Sequence, residues 1–366
     1  MRNDRIAPLA LPRGSAGEGP KKRGVCAART GETRYITRLR APLYVAIILL
    51  AGACATQALP VANSGAAGPL APPLKANPPL DLIVGPDGKL WFGEPFSNRI
   101  GRFSTAGVLE ELPLPARCFV ARLASGPDGR VWFTDPVGNR IGSITPDGSV
   151  ALFVLPAPKS GPAGIALGAD GNLWFTEIKT GRIGRVTPAG SISEFTLPDS
   201  GSRPAGIVSG ADGDLWFTEE RGARIGRITT QGRISEFTAP TPRSEPEEIT
   251  AGPDGNLWFT EFKGKRIGRI TTAGEIKEFP ILGAPSVDRI ASGPDGNLWV
   301  TAAGGKIFRV TPAGVVADLK LPAGVRPAFI TAGPDGNIWF TERAGIIVRM
   351  TPAGAIKEFS LARPDF

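Results

Sequence analysis

Carboxylates are the side chains of this sequence best suited to chemistry, because histidine does not occur among its 366 residues. Without histidine, imidazole acid–base catalysis and histidine-containing metal sites are excluded from the protein's own side chains. An acidic residue recurs at one point of a repeated phrase, and the positions are Glu94, Asp135, Glu177, Glu219, Glu261 and Glu342. Such a series predicts either structural ion pairs or an acidic site for a cation or a polar ligand.

In five repeats an arginine follows the carboxylate by five residues, and these arginines are Arg99, Arg140, Arg182, Arg224 and Arg266. This spacing predicts cross-strand ion pairs that belong to the fold. The last two repeats differ, since Ala302 replaces the acid before Lys306, and Glu342 precedes Ile346. Glu342 therefore lacks the repeated partner and is the candidate catalytic carboxylate.

Further acidic residues begin the fifth and sixth repeats at Glu247, Glu248 and Asp288. Carboxylates that have no arginine or lysine partner in the repeat suit a hard cation. Glu247, Asp288 and Glu342 therefore form a candidate site for Mg²⁺ or Ca²⁺. Alternatively, Arg289 and Arg326 on the same face neutralise these carboxylates.

An aromatic ring and guanidinium groups beside carboxylates would also suit a polar ligand of mixed charge. The same side chains could instead fill gaps left by shorter loops. The candidate ligand-face residues are Glu247, Glu248, Asp288, Arg289, Arg326, Phe329 and Arg122.

The elements that must position these residues come from a sevenfold repeat. All seven tryptophans occupy the same place in the phrase, with spacings of 40 to 42 residues, and they are Trp91, Trp132, Trp174, Trp216, Trp258, Trp299 and Trp339. A constant period of this length indicates one supersecondary unit repeated seven times. Abundant glycine (48) and proline (36), without helical periodicity, favour an all-β protein.

Each unit predicts four short strands, which in the third unit cover residues 164–168, 173–177, 182–187 and 192–197. Gly-Pro-Asp-Gly and Thr-Pro-Ala-Gly supply the turns that connect them. A single sheet cannot bury its Leu-Trp-Phe-Thr strand, so the sheets must stack radially, each tryptophan against the next sheet. We therefore predict a seven-bladed β-propeller of four-stranded antiparallel blades over residues 79–361, closed by a complete final blade.

The phrase at residues 252–261, Gly-Pro-Asp-Gly-Asn-Leu-Trp-Phe-Thr-Glu, is followed by Arg-Ile-Gly-Arg-Ile-Thr and Glu-Phe. This pattern resembles the streptogramin (virginiamycin B) lyase family over residues 79–361. The resemblance implies a seven-bladed propeller. It also implies Mg-assisted elimination that opens a cyclic depsipeptide antibiotic.

The resemblance also implies which positions carry the chemistry. Family lyases have histidines where this sequence has Asp288 and Ala328, and glutamates where it has Arg326 and Glu342. Glu342 is the one position of the four that matches. We therefore expect no streptogramin lyase activity by the family mechanism.

The first 55 residues predict an export signal. Ten Lys and Arg against three acidic residues precede residue 41, and an apolar run occupies 43–51. The run is too short for a permanent membrane helix, and its flanks are typical of a signal. Two alternatives exist for Cys54: lipidation at an imperfect lipoprotein box, or ordinary cleavage nearby. Residues 56–78 form an Ala/Pro/Gly-rich tether.

The net charge of +8 comes mostly from that leader, so the sequence does not predict nucleic-acid binding. We expect an exported monomer, periplasmic or extracellular, that touches membrane only through a signal or a lipid anchor. The first hypothesis is a non-catalytic homologue that binds a small molecule or an envelope protein on its acidic and arginine-rich face. The second is a lyase, or a lactone- or ester-opening hydrolase, that uses carboxylates and a metal such as Mg²⁺. Cys118 has no predicted partner and is interpreted as a loop filler.

Overall fold

The computed structural model describes residues 78–115, 117–342 and 345–361. All regular elements in this part are β-strands, and 28 strands form seven antiparallel sheets of four. Within it, no helix is both long and apolar enough to cross a membrane. The predicted leader, Cys54 and almost all of the predicted tether lie outside the described residues.

Each sheet consists of a first, second, third and fourth strand that follow one another along the chain. The first strands are β1 (Leu80–Val84), β5 (Arg122–Ser125), β9 (Pro162–Leu167), β13 (Pro204–Ser209), β17 (Pro246–Ala251), β21 (Val287–Ser292) and β25 (Pro327–Ala332). The second strands are β2 (Leu90–Glu94), β6 (Val131–Asp135), β10 (Leu173–Glu177), β14 (Leu215–Glu219), β18 (Leu257–Glu261), β22 (Leu298–Ala302) and β26 (Ile338–Glu342).

The third strands are β3 (Arg99–Phe103), β7 (Arg140–Ile144), β11 (Arg182–Val186), β15 (Arg224–Ile228), β19 (Arg266–Ile270), β23 (Lys306–Val310) and β27 (Ile346–Met350). The fourth strands are β4 (Leu109–Pro113), β8 (Val150–Val154), β12 (Ile192–Thr196), β16 (Ile234–Thr238), β20 (Ile276–Pro280), β24 (Val316–Leu319) and β28 (Ile356–Ser360). The four strands predicted in the third unit agree with these bounds to within two residues.

The seven sheets are the blades of a propeller, and the predicted fold is confirmed. First strands of successive blades contact one another around the ring, and β25 contacts β1. Blade 7 is built from the last four strands alone, as predicted for closure by a complete final blade. The closing interface is aromatic, since Phe103 of blade 1 makes edge contacts with Trp339 and Phe359 at 6.1 and 5.3 Å between ring centroids.

The seven tryptophans form the repeated core and are fully buried. Trp258, for example, packs with Leu298 and Val300 of the next blade. Each indole N–H also donates to the aspartate of its own Gly-X-Asp-Gly turn, at 2.8–3.2 Å across the seven blades. The turn aspartate therefore satisfies a buried donor as well as bonding its own backbone.

The second arginine of Arg-Ile-Gly-Arg joins neighbouring blades. The Arg185 guanidinium lies 5.4 Å from the Trp174 ring centroid, and its Nη1 donates to the Thr230 carbonyl of the next blade at 3.2 Å. Comparable bonds leave Arg102, Arg227 and Arg269. The repeated phrase therefore builds both the blades and the contacts between them.

Candidate functional site

The candidate site depends on an irregularity that recurs where the first strand of a blade begins. In blade 5 the pairing of β17 with β18 shifts between Pro246 and Ile249, so Glu247 and Glu248 occupy a β-bulge. A bulge redirects side chains that would otherwise follow the alternation of the strand. The same shift occurs in blade 6 around Asp288 and in blade 7 around Ala328 and Phe329.

Five residues, each ten positions before the tryptophan of its blade, form what we call the axial cluster: Asp81, Arg122, Glu248, Arg289 and Phe329. Arg122 of blade 2 forms an ion pair with Glu248 of blade 5, so this contact crosses the ring. Arg289 Nη1 lies 3.0 Å from Glu248 Oε2, and Arg122 Nη1 lies 3.5 Å from Asp81 Oδ1. The guanidinium carbons of Arg122 and Arg289 lie 5.2 and 4.7 Å from the Phe329 ring centroid.

The axial cluster is buried, and its charges compensate one another. Burial acts to raise the pKa of Glu248, but Arg122 and then Arg289 outweigh it and hold this pKa below its ordinary value. Burial raises the pKa of Asp81, and the positive charge of Arg122 is the main effect that opposes this rise. Cations stacked on an aromatic face and paired with carboxylates are fixed in orientation. The axial cluster is therefore a fixed group of charged and aromatic side chains near the centre of the ring.

A second group, which we call the carboxylate cluster, consists of Glu220, Glu247 and Asp288. Glu247 is 5% exposed, and Arg289 Nη1 lies 3.5 Å from its Oε1. Burial raises the pKa of Glu247 to about 7, and repulsion from Glu220, Asp288 and Glu248 adds to this while Arg289 opposes it. Asp288 is half-buried and accepts a hydrogen bond from Ser286 Oγ at 2.9 Å.

Glu220 follows the second strand of blade 4 and is 6% exposed. Its Oε2 lies 3.1 Å from Arg203 Nη2, whereas its buried Oε1 has no hydrogen-bond partner. Burial raises the pKa of Glu220 in spite of Arg203.

The carboxylates at the ends of the second strands are paired in register with the predicted arginines, as Glu177 with Arg182. Ion pairs between such partners form in blade 2, at 2.7 Å, and in blade 4, at 3.4 Å. In blades 1, 3 and 5 the arginine forms an ion pair with a glutamate of the fourth strand, with Arg99–Glu111 at 3.2 Å, Arg182–Glu194 at 3.0 Å and Arg266–Glu278 at 3.6 Å. The predicted pairing is therefore wrong for the side chains of blades 3 and 5.

This exchange leaves two glutamates of one blade close together. Burial raises the pKa of Glu177 to about 7, and Glu194 adds to the rise. Burial likewise raises the pKa of Glu261 to about 7, and Glu278 adds to it. Because one arginine cannot neutralise two neighbouring carboxylates, each pair of glutamates favours binding one proton between them.

Glu342 belongs to its own blade and does not join the carboxylate cluster. Its Oε2 accepts the backbone N–H of Arg326 at 3.1 Å. Burial raises its pKa, and the neighbouring charge that adds to the rise is Glu358 of the same blade. The exposed Arg326 side chain lies against Gly305.

The predicted metal site is therefore not assembled. Of its three residues, Asp288 is one of the charges that act on Glu247, whereas the charge that acts on Glu342 is Glu358. Across the described residues no group of three or more His, Cys, Asp or Glu side chains is placed to hold a metal ion. Two acidic groups beside Arg289 do not fit Mg²⁺ or Ca²⁺, which prefer several oxygen ligands.

The sequence interpretation missed three residues: Asp81, Arg203 and Glu220. Aligning the repeats could have found Asp81, because it occupies the same place in the first unit as Glu248 in the fifth. Arg203 and Glu220 lie in loops, where the phrase varies and no repeat pattern marks them.

Comparison with known families supports the fold and identifies the family. The profile of the virginiamycin B lyase family matches residues 57–220 and 200–366. The chain belongs to the virginiamycin B lyase family. No curated protein sequence matches it significantly.

Solved structures of family members are similar over the propeller. A streptogramin B lyase structure is 38% identical, with a TM-score of 0.71, and the match covers 74% of this chain and 92% of that one. A catalytically inactive histidine-to-alanine variant of virginiamycin B lyase from Staphylococcus aureus, with quinupristin, is 41% identical with a TM-score of 0.71. That match covers 75% of this chain and 94% of that one.

Proposed function

We propose that this member of the virginiamycin B lyase family binds a ligand at the axial cluster without performing the histidine-dependent elimination. The observation that carries the proposal is the axial cluster, in which Arg122 and Arg289 lie against Phe329 and are held by Glu248. A fixed aromatic face with oriented charges suits recognition of a polar ligand.

Two facts support binding without this chemistry. The chain contains no histidine, and alanine stands at position 328, where the resemblance implies a catalytic histidine. In the Staphylococcus aureus relative, an inactive variant with alanine in place of a histidine was solved with quinupristin. Loss of the histidine in that protein is therefore compatible with a bound ligand.

One observation favours an enzyme as the second candidate. Burial raises the pKa of Glu247 to about 7, and this carboxyl lies beside Arg289. A carboxyl group poised near neutral pH suits a general base. The reaction would then be elimination, or the opening of a lactone or ester.

Quinupristin is the probe that tests both candidates. We expect calorimetry to detect binding, and mass spectrometry to find the ring intact after incubation with Mg²⁺. Arg289→Met should weaken binding at least tenfold, since it removes a charged group from the axial cluster. Glu275→Gln on an exposed turn should leave binding unchanged. Ring opening abolished by Glu247→Gln would establish the enzyme instead. Absence of binding would contradict the proposal.

We further propose that the protein is exported, from the basic and apolar segments of residues 1–55. Expression with labelled fatty acid distinguishes the two alternatives for Cys54. Label that is lost in Cys54→Ser indicates a lipoprotein, whereas cleavage without label indicates a soluble periplasmic or extracellular protein. An uncleaved cytoplasmic product would contradict export. A pull-down from the envelope tests for a protein partner.

A further inference from the structure

Two kinds of loop meet at one face of the propeller, which we call the loop face. These are the loops that follow the second strands and the loops that lead into the first strands. They lie together because the start of a first strand pairs with the end of the second strand, as Pro246 does with Glu261. The chain enters β1 at the same face, where Leu80 pairs with Gly93. The segment before residue 78 therefore joins the propeller at the loop face.

Basic residues occur in doublets on the loop face of blades 3, 4 and 5. In each of these blades a backbone hydrogen bond of 3.0 Å joins the two loops. In blade 3 the Lys179 N–H donates to the carbonyl of Ser160, which adjoins Lys159. The corresponding doublets of the next two blades are Arg203 with Arg221, and Arg243 with Lys263. Positive charge is therefore concentrated on three neighbouring blades.

Most of this positive charge is not neutralised. Four doublet residues are exposed and form no ion pair in the described part of the chain: Lys159, Lys179, Arg221 and Arg243. The other two are paired, Arg203 with Glu220 and Lys263 with Glu245. On the opposite face, formed by the turns within each blade, an aspartate of the first turn lies 3.3–3.9 Å from an arginine in six blades. The loop face is therefore the more basic side of the propeller.

Apolar side chains are exposed on the same face. Phe96 and Val137, in the loops after β2 and β6, are 51% and 46% exposed, and Leu282, in the loop before β21, is 83% exposed. Leu282 also lines a groove of about 480 Å³ together with the exposed Lys265. The groove therefore places an ammonium group beside apolar carbon, a combination that matches the phosphate and first acyl carbons of a phospholipid.

We propose that the loop face docks onto an anionic lipid bilayer. Lysine and arginine near a membrane surface are attracted to anionic headgroups, and exposed aromatic and aliphatic side chains enter the boundary with the acyl chains. The loop face presents both kinds of side chain. A soluble polyanion would account for the lysines and arginines, but not for the exposure of Phe96 and Leu282.

This contact complements the export that we propose from residues 1–55. A signal or lipid anchor before residue 78 would hold the loop face toward the membrane, because the chain enters the propeller there. A single acyl chain binds membranes only marginally, and a basic patch is a common second contribution. The sequence predicted membrane contact through a signal or lipid anchor alone, so the folded face adds a second contact. Neither contact depends on ligand binding at the axial cluster.

Tryptophan placed on the loop face reports docking of the full chain, because the seven native indoles are buried. Phe96→Trp and Leu282→Trp are mixed with vesicles of phosphatidylglycerol and brominated phosphatidylcholine in equal parts, in which bromine quenches indoles that enter the bilayer. We expect both added indoles to lose most of their emission. Val315→Trp is the matched control, since Val315 is 65% exposed on a turn of the opposite face, and its emission should be unchanged.

Charge is tested by two double variants that remove the same net charge. Lys179→Gln with Lys265→Gln acts on the loop face, whereas Lys277→Gln with Lys357→Gln acts on exposed positions of the fourth strands. Each basic residue near an anionic surface strengthens binding about fivefold, so the first variant should sediment with the vesicles at least about tenfold more weakly. The second should bind nearly as the wild type does, and about 0.5 M NaCl should weaken binding of all three proteins.

The orientation of the bound protein decides the outcome, because the basic leader is common to every variant. If the vesicles bind the chain but leave both loop-face indoles unquenched, the leader alone makes the contact and the proposal is overturned. Equal quenching of Val315→Trp, equal binding to vesicles of phosphatidylcholine alone, or no binding at all would overturn it as well. If heparin binds while the indoles stay unquenched by vesicles, the loop face recognises a soluble polyanion instead of a bilayer.

Discussion

Replacing Glu261 by glutamine should stabilise the protein more at pH 8 than at pH 5.5. Burial, with Glu278 close by, raises the pKa of Glu261 from 4.5 to about 7, so the folded protein holds a proton that the unfolded chain has lost. The free energy of unfolding therefore falls as pH rises from 5.5 through 7. Glutamine has the shape of the protonated acid and donates to Glu278 at any pH.

The size of the change in stability follows from the raised pKa of Glu261. Between pH 5.5 and 8, a group that titrates near 7 in the folded state loses about 2 kcal/mol of stabilisation. We halve this value for solvent screening and expect the stabilisation by Glu261→Gln to be about 1 kcal/mol larger at pH 8 than at pH 5.5. Glu177 and Glu247 shift in the same direction to about 7, so the wild type should lose about 3 kcal/mol over this interval.

Urea unfolding followed by tryptophan fluorescence measures this effect, because all seven indoles are buried in the folded state. The absence of histidine removes the side chain that ordinarily titrates between pH 5.5 and 8, so the carboxyl groups dominate the result. Glu275→Gln on an exposed turn is the matched control. A wild type that becomes more stable toward pH 8, or a Glu261→Gln variant no more stable than the wild type at pH 8, would refute the reasoning.

Three further outcomes are expected. Phe103→Ala should cost about 3–4 kcal/mol in urea unfolding, because this ring makes the edge contact with Phe359 that joins the first and last blades. Gly190→Ala should cost more than about 1 kcal/mol by the same assay, since φ is 93° and a Cβ would clash with the Phe153 ring; an unchanged midpoint would contradict the packing. Native Cys118 should resist iodoacetamide at pH 8 until urea is added, because burial raises its pKa to about 11.

Much of the fold could be predicted because the repeat obeys local rules. Strand order, turn positions and tryptophan burial follow from spacing and turn chemistry, and the second strand of the third unit, Leu173–Glu177, has the predicted bounds. The hydrogen bond from Trp174 to Asp170 was not predicted, because turn propensity already explains an aspartate at that place.

The site was predictable in part. Glu247, Glu248 and Arg289 do meet, because their positions in the repeat place them at neighbouring bulges. The orientation of a long side chain could not be read from the spacing. Arg182 forms its ion pair with Glu194 of the fourth strand instead of with its register partner Glu177. The Glu342 carboxylate accepts a hydrogen bond from the backbone of Arg326 in its own blade. Both orientations depend on the packing around the side chain.

The ion pair between Arg122 and Glu248 changes how the ring can respond to force and to ligands. In a propeller most contacts join neighbouring blades, so a disturbance travels mainly from blade to blade around the circle. This pair links blade 2 directly to blade 5, like a chord across the circle. A ligand that draws Glu248 away from Arg122 would therefore act on blades 2 and 5 at the same time.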